Sequence, residues 1–519
     1  MANSSSPSSS SSSAPQHIVV GAGVFGTSTA LAAVQAGHGV TVLDRSSDGF
    51  VAPDGASSDL NKIIRADYSD PFYRVLGKGA ISEWRTNPLY SPYYHEDGVF
   101  FYSGQDGDPT AAEFMKQGVH NAAIASDVHF ERMAVGVQLP KVAHLLASEE
   151  EGKACFPPSL RNRVGGFMSK MGTGATSGYC NPRGGWAEAR NATVAALQEA
   201  QRLGAQLVGN AEVSSLIRQD SKVVGVKTSD GRSFTTRNGG AVIICAGSWT
   251  TDLLLNSLLP PTLGKALGEP ASTSGQTVIT VKLGEEDRLA HKGAPVTFNI
   301  QTGFYTFAPD ASGVLKAAIH GPGYSYPAPP CGVVGEACAY PSFSSSSSAP
   351  STSTAPSPKG ILGGRAMPFQ PTIQTGKEER VPEGKDREML QQLLEVYPGL
   401  EKYKETLQTR ICWYSDTEDE NWIIDGVPGQ HPGEKVENLF IATGDSGHGF
   451  KFLPTIGKFI LGRLPSSQRP ASIPALTEEQ SRFWSLEHHR RLKKEVAAAA
   501  AKVRKEIGDA ATNNLRGRL

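Results

Sequence analysis

The chain is poor in cysteine, with six in 519 residues at positions 155, 180, 245, 331, 338 and 412. That is too sparse for a disulfide framework, and none stands with histidines at the spacing of a zinc site, so a reducing compartment is expected. Cys331 and Cys338 sit in a Pro/Gly-rich stretch and read as bystanders. An excess of either charge is missing too. The 50 basic and 51 acidic residues leave a net charge of −1, which argues against a nucleic-acid or membrane-surface partner. No apolar run approaches the ~18 residues of a membrane span, and "MANSSSPSSSSSSAPQ" lacks the cationic flank and apolar stretch of a secretory signal. Small molecules are the expected partners.

What is present is the pattern of an α/β protein. Short β-branched runs such as "HIVV", "VTVL", "AVIICAG" and "NLFIATG" alternate with helical patterns such as "WAEARNATVAALQEAQRLG". Two serine-rich stretches, in 1–15 and at 342–360, have nothing to bury and read as disordered, the second as a surface insertion. From Thr477 a capping box followed by alanine and alternating charge predicts a helix within a C-terminal extension, 466–519. The expected architecture is a discontinuous Rossmann-like dinucleotide domain (16–100, 160–255 and 405–465). A substrate domain (101–159 and 256–404), built on a mixed or antiparallel sheet, is interleaved with it.

The strongest local signal is "HIVVGAGVFGTSTALAAVQAGHGVTVLD". Gly21 allows a tight turn, Gly23 lets backbone approach a pyrophosphate at a helix start, and Gly26 lets helix lie against strand. Asp44, at the end of the second strand, is placed to accept from ribose hydroxyls. The motif leaves open which dinucleotide binds. An NAD dehydrogenase needs only one such unit, whereas here "GGAVIICAGSW" and "ENLFIATGDSGHGFKFLPTIGKFI" repeat the strand-into-glycine theme far downstream, which suits the longer FAD. Glycines 444, 447 and 449 precede an apolar helical run, so a helix start there would aim backbone donors at an anionic flavin edge.

Taken in order, "GAGVFG", "SDLNKIIRADY", "GVLKAAIH", "CWYSDTEDENWIID" and "GDSGHGFKFLPTIGK" resemble the FAD-dependent amine oxidase group of sarcosine, pipecolate, saccharopine and fructosyl amino acid oxidases, over roughly residues 16 to 465. The resemblance implies a thioether from Cys412 to the flavin 8α carbon, on a pattern completed by Tyr414, Ser415, Thr417, Asp419 and Glu420. It also implies that Lys316 activates oxygen, that His320 and Tyr305 face the substrate, and that Arg65 and Lys451 hold its carboxylate. Beyond the glycines and Asp44, it nominates Val24, Phe25, Arg45, Ser58, Asn61, Lys62, Val213, Asp445, Gly447, Gly449 and Lys451 for the cofactor, with Lys62 over the ring.

The activity implied is oxidation of the C–N bond of a secondary amino acid, saccharopine-, pipecolate- or sarcosine-like. Oxygen is the acceptor and hydrogen peroxide a product. Alternatives are a fructosyl amino acid or a biosynthetic amine as substrate, an NAD-dependent dehydrogenase, and a binding protein that kept the fold. Gly517-Arg518-Leu519 approximates the S-K-L peroxisomal address, with the cytoplasm as the other expectation.

Overall fold

The β-branched run at the start of the glycine motif forms β1 (Gln16–Val20), the small residues after it form α1 (Val24–Gln35), and β2 (Gly39–Leu43) follows, in a computed structural model of the chain. The structure describes residues 14–53, 55–103, 109–125, 143–146, 148–165, 178–260, 262, 271–324, 326–327, 366–367, 381–382, 384–429, 435–499 and 502. The serine-rich stretches 1–13 and 342–360, Cys331, Cys338 and residues 517–519 lie outside the described residues.

β1 runs parallel to β2 on one side and to the strand Val242–Ile244 on the other, with the strand Lys435–Thr443 beyond. Val242–Ile244 and Lys435–Thr443 come from distant parts of the sequence, so this sheet is assembled from discontinuous segments. Ile18, Val19, Val242, Ile243 and Ile244 are all buried, as a parallel sheet covered on both faces requires. α1 lies so close to β1 that a Cβ on Gly26 would stand 1.9 Å from the Gly21 carbonyl oxygen. Only glycine permits that approach.

The second sheet has 8 strands, in the order Gln408–Asp416, Ser272–Lys282, Val314–Ile319, Phe304–Thr306, Val296–Asn299, Val99–Tyr102, Gly178–Asn181 and His144–Leu146. All its pairings are antiparallel except Val296–Asn299 with Val99–Tyr102, so of the mixed or antiparallel sheet expected it is the mixed kind. Segments 160–255 and 405–465 are nevertheless divided between the sheets. Gly178–Asn181 and the Cys412 strand pair in the second one, the latter through a ladder from Ser272↔Asp416 to Thr280↔Gln408. Strand partners are chosen by cross-strand packing, which proximity along the chain does not report.

The C-terminal extension departs from a single helix. The capping box forms as expected, with Gln480 N–H donating to Thr477 Oγ1 (3.1 Å) and Thr477 N–H to Gln480 Oε1 (2.9 Å). The helix Glu478–Phe483 then stops at Trp484, and helix resumes over 486–499. The break has a cause in the body of the protein. Trp484 is fully buried, its carbonyl accepts from Ile424 N–H (2.9 Å), and Leu486 N–H donates to Asp425 Oδ2 (3.1 Å). Backbone groups spent on the neighbouring strand are lost to the helix.

Candidate active site

A cavity of about 590 Å³ opens along the glycine motif, lined by Gly21, Gly23, Val24, Phe25, Asp44, Arg45 and Val213 near one end and by Asp445, Gly447 and Gly449 near the other. Gly21 has φ +102°, and a Cβ there would clash with the Cys245 carbonyl oxygen at 2.4 Å. Asp44 is buried and oriented by backbone donors, Ala22 N–H at 2.7 Å and Ser46 N–H at 2.9 Å. Burial pushes its pKa up against those bonds. Across the cavity the Arg45 guanidinium lies 4.3 Å over the Trp249 ring.

These groups fit FAD. The Asp44 carboxylate keeps lone pairs for ribose hydroxyls. Gly247, at φ +52°, has open space where a Cβ would stand, and the buried Trp249 Nε1–H has no acceptor among the described residues, so the wall holds a donor awaiting a partner.

A second cavity, of about 860 Å³, meets the first at Lys62, Tyr414, Gly447 and Phe450, which line both. Gly447 is required there: at φ +70° its Cβ would collide with Tyr414 (2.7 Å) and His320 (2.9 Å). Lys62 projects from β3 (Asn61–Ile64). Its ammonium donates to Cys412 Sγ (3.4 Å) and pairs with Asp59 Oδ2 (2.7 Å). The same carboxylate oxygen accepts from Lys316 Nζ at 2.5 Å. Lys316 is fully enclosed, also donates to the Asn61 carbonyl (2.8 Å), and lies over the Phe307 ring at 4.9 Å. One carboxylate thus serves two buried ammoniums. Burial, partly opposed by Asp59, pushes the Lys316 pKa down to about 8, whereas at Lys62 burial is outweighed by Asp59, Cys412 and Tyr305 together, which raise it. Asp59 itself is held well below the carboxylate range, because Lys316, Lys62 and Arg410 together outweigh its burial.

At the far side of the junction stand the two residues nominated for a carboxylate. Arg65 Nη1 pairs with Asp67 Oδ1 at 2.9 Å, with its guanidinium between the Tyr68 and Phe101 rings, 5.4 Å from each. Lys451 is buried, and among the described residues its ammonium donates only to neutral oxygens, Tyr68 Oη (2.5 Å) and the His448 carbonyl (3.1 Å). Burial, then Arg65, drives its pKa well below the usual lysine value. The Tyr68 hydroxyl also meets His448 Nδ1 (3.1 Å), whose ring burial holds its pKa down to about 3. His320 is lowered as well, by burial and then by Arg65, Lys451 and Lys62. Burial raises the Tyr305 hydroxyl to about 12.

The structure therefore brings together Arg65, Lys451, His320, Tyr305 and Lys62 around one space. It places other nominated residues elsewhere. Ser58 lines neither cavity: its carbonyl accepts from Arg410 (2.7 Å), while the neighbouring Ser57 lines the nucleotide cavity and accepts from Val24 N–H (3.0 Å). Asn61 is buried away from both cavities, its side-chain amide without a partner among the described residues. Gly26 serves the packing of α1. Cys412 and Lys316 lie directly behind the lining, Cys412 beside Trp413 and Tyr414 on the same strand.

The expected helix start at 444–449 is instead a short 3₁₀ turn, Gly449–Phe452, with Gly449 N–H and His448 N–H already given to the Asp445 carbonyl. The helix that follows, Ile456–Gly462, begins against α1, where Gly457 N–H donates to Ser28 Oγ (2.8 Å). Sequence reasoning missed Asp59, Tyr68, Asp67 and His448. Asp59 had a signal: two lysines expected beside one cofactor require a buried counter-charge.

A glycine-cradled nucleotide cavity joined to a second cavity with cations for an anionic ligand defines a flavin-dependent oxidoreductase. The chain belongs to the FAD dependent oxidoreductase family (DAO), whose profile it matches over residues 16–463. It is 26% identical over 460 residues to L-saccharopine oxidase of Schizosaccharomyces pombe, spanning 86% of this chain and 89% of that protein. To amino acid oxidase imqH of Aspergillus flavus it is 26% identical over 504 residues, spanning 90% and 96%. Among solved structures, the fructosyl amine:oxygen oxidoreductase Amadoriase I of Aspergillus fumigatus superposes with TM-score 0.63 at 25% identity, covering 92% of each chain. A fructosyl peptide oxidase from E. terrenum shares the fold, with TM-score 0.66 and 23% identity over 92% of this chain and 93% of that one.

Proposed function

We propose that the protein oxidises the C–N bond of a secondary or N-substituted amino acid, with molecular oxygen as acceptor and hydrogen peroxide as product. The observation that carries this reading is the junction at Lys62, Tyr414, Gly447 and Phe450, with Arg65 and Lys451 on its substrate side. Its saccharopine and amino acid oxidase relatives support the reading.

Bound FAD supplies the two-electron oxidation at the carbon next to nitrogen and hands the electrons to oxygen. The chain's own residues do the rest. Lys451 and Arg65 fix the carboxylate, which presents the α C–H bond to the junction and converts an encounter into a near-unimolecular step. His320, neutral because its pKa is lowered, accepts from the amine without adding charge. The enclosing aromatic rings keep water from the reacting carbon, and hydrolysis of the imine follows its release. The test is anaerobic mixing of purified protein with sarcosine, pipecolate, saccharopine, N-methyl aromatic amino acids and fructosyl-lysine. Bleaching of the flavin absorbance by at least one, and peroxide on readmitting oxygen, is expected. No bleaching by any would overturn the reading.

Cys412 is proposed as the covalent anchor. The residue matches the thioether pattern, and its strand sends Trp413 and Tyr414 into the cofactor cavity. After acid precipitation and washing, the native protein should retain flavin fluorescence in the pellet, and Cys412→Ala should release it to the supernatant. Equal release from both rejects the anchor.

Lys316 is proposed to assist oxygen, since a fixed positive charge lowers the barrier to forming superoxide. With its pKa pushed down to about 8, it is cationic at neutral pH and loses its charge above that value. Reoxidation by oxygen should therefore slow as pH rises through about 8. Lys316→Met should slow it roughly 10²-fold and erase the pH step, leaving anaerobic reduction little changed. Native-rate reoxidation in that variant would assign the task to Lys62.

A further inference from the structure

We infer that the substrate carries a single carboxylate and an aromatic or bulky apolar side chain, with no second acidic group; this rests on the oxidase reading above. The walls of the substrate cavity come from one row of side chains across the second sheet. Tyr179 pairs with Phe101, Phe101 with Phe298, and Phe298 with Tyr305, so four adjacent strands place aromatic rings side by side on the same face. Tyr179 and Phe101 stack at 4.7 Å and 9°, Phe298 and Tyr305 at 5.7 Å and 9°, and Phe101 lies 5.4 Å from Phe298. Phe114, 43% exposed, extends the row to the rim, 5.9 Å from Phe101. All five rings line the cavity. Such a ladder offers a long apolar face on which a flat or bulky group gains both burial and ring-edge attraction.

The charges set the other half of the specificity. Three lysine or arginine side chains line the cavity among the described residues. Lys62 pairs with Asp59, which it shares with Lys316, and Arg65 pairs with Asp67, whereas Lys451 hydrogen-bonds only to neutral oxygens among the described residues. His320 and His448 are held neutral by burial, and Glu420 adds a negative charge to the lining. Lys451, the one of these three cations with no ion pair among the described residues, is the anchor left for a single carboxylate. A second carboxylate on the substrate's tail would lie along the rings, with neutral amides such as Gln117 and Asn121 but no further lysine or arginine among the described lining residues to pair with, and burying an unpaired charge is costly. A cavity of about 860 Å³ is also far more than a bare N-methylglycine fills, and a small substrate would leave the ring ladder unoccupied.

The experiment uses the flavin-loaded full chain and two readouts. Calorimetry with amine-free probes comes first. 3-Phenylpropanoate should bind roughly tenfold or more tightly than acetate, and glutarate no more tightly than acetate. Phe298→Leu, which keeps apolar volume but removes the ring, should cut the phenylpropanoate advantage several-fold and leave acetate binding unchanged. Glutarate binding as tightly as phenylpropanoate, or no difference between phenylpropanoate and acetate, would overturn the inference. Turnover comes second. N-methyl-L-phenylalanine should exceed both sarcosine and saccharopine in kcat/KM by roughly tenfold. Preference for saccharopine or sarcosine overturns the inference while the oxidase reading stands; tight phenylpropanoate binding without oxidation of any amine overturns the oxidase reading while the pocket chemistry stands.

Discussion

Asp59→Ala is expected to remove about 3–5 kcal/mol of folding stability, the cost of stranding buried charge. The carboxylate accepts from Lys316 at 2.5 Å and Lys62 at 2.7 Å, and Arg410 lies 3.9 Å from its other oxygen. Asp59 and Lys316 have side chains 2% and 0% exposed, so water cannot replace the lost partner. Because the folded-state pKa of Asp59 is depressed, its contribution is present in full above the ordinary carboxylate value and is lost as pH falls below it. Lys316 acts in the opposite range. Its folded-state pKa of about 8 lies below the unfolded value near 10.5, so between them the unfolded chain holds the extra proton and stability rises with pH. Urea unfolding at neutral pH measures the loss. The double variant Asp59→Ala/Lys316→Met should recover part of it, since the stranded ammonium is gone. An Asp59→Ala protein within 1 kcal/mol of native would show that the two lysines are not held as one unit.

Lys451→Met is expected to lower kcat/KM for the amino acid substrate by roughly 10²–10³-fold, as removal of one partner from a buried charged pair does. Lys451 has spare donor capacity and no counter-ion among the described residues, so the incoming carboxylate meets a charge that is poised. Arg65, already paired with Asp67, should matter less: Arg65→Lys keeps the charge but loses the fork, and a smaller fall is expected. Stopped-flow reduction at varied substrate concentration separates binding from chemistry. The pH dependence is diagnostic. Since burial and Arg65 hold the Lys451 pKa well below the usual lysine value, substrate affinity should weaken as pH rises at a lower pH than an ordinary lysine would allow. In Lys451→Met that weakening should vanish. Equal kcat/KM in native and variant would move the carboxylate to another anchor.

Which of these features could be read from the sequence follows from how local their causes are. The β1–α1–β2 turn was legible because every part of it, from Gly21 to Asp44, lies within one continuous stretch. Arg65, His320, Tyr305 and Lys451 were legible through short motifs, and they meet in one cavity. Asp59 and Lys316 are 257 residues apart, and no periodicity reports a salt bridge across that separation. The aromatic row is hidden for the same reason: each strand contributes one ring, and only the register aligns them. The helical pattern after Thr477 was real but incomplete, because it contains no sign that Trp484 is claimed by Tyr73, whose hydroxyl accepts from its indole N–H at 3.2 Å.

The placement of β1 bears on when the protein can hold its cofactor during synthesis. The strand emerges from the ribosome early, yet its sheet is completed by Val242–Ile244 and then Lys435–Thr443, and α1 is braced by Gly457. A nascent chain cut short before residue 435 has the glycine turn but lacks the strand and the loop that close the pocket over it. Flavin capture is thus expected only after the last sixth of the chain is translated, and riboflavin shortage would leave a completed chain with an unsealed core.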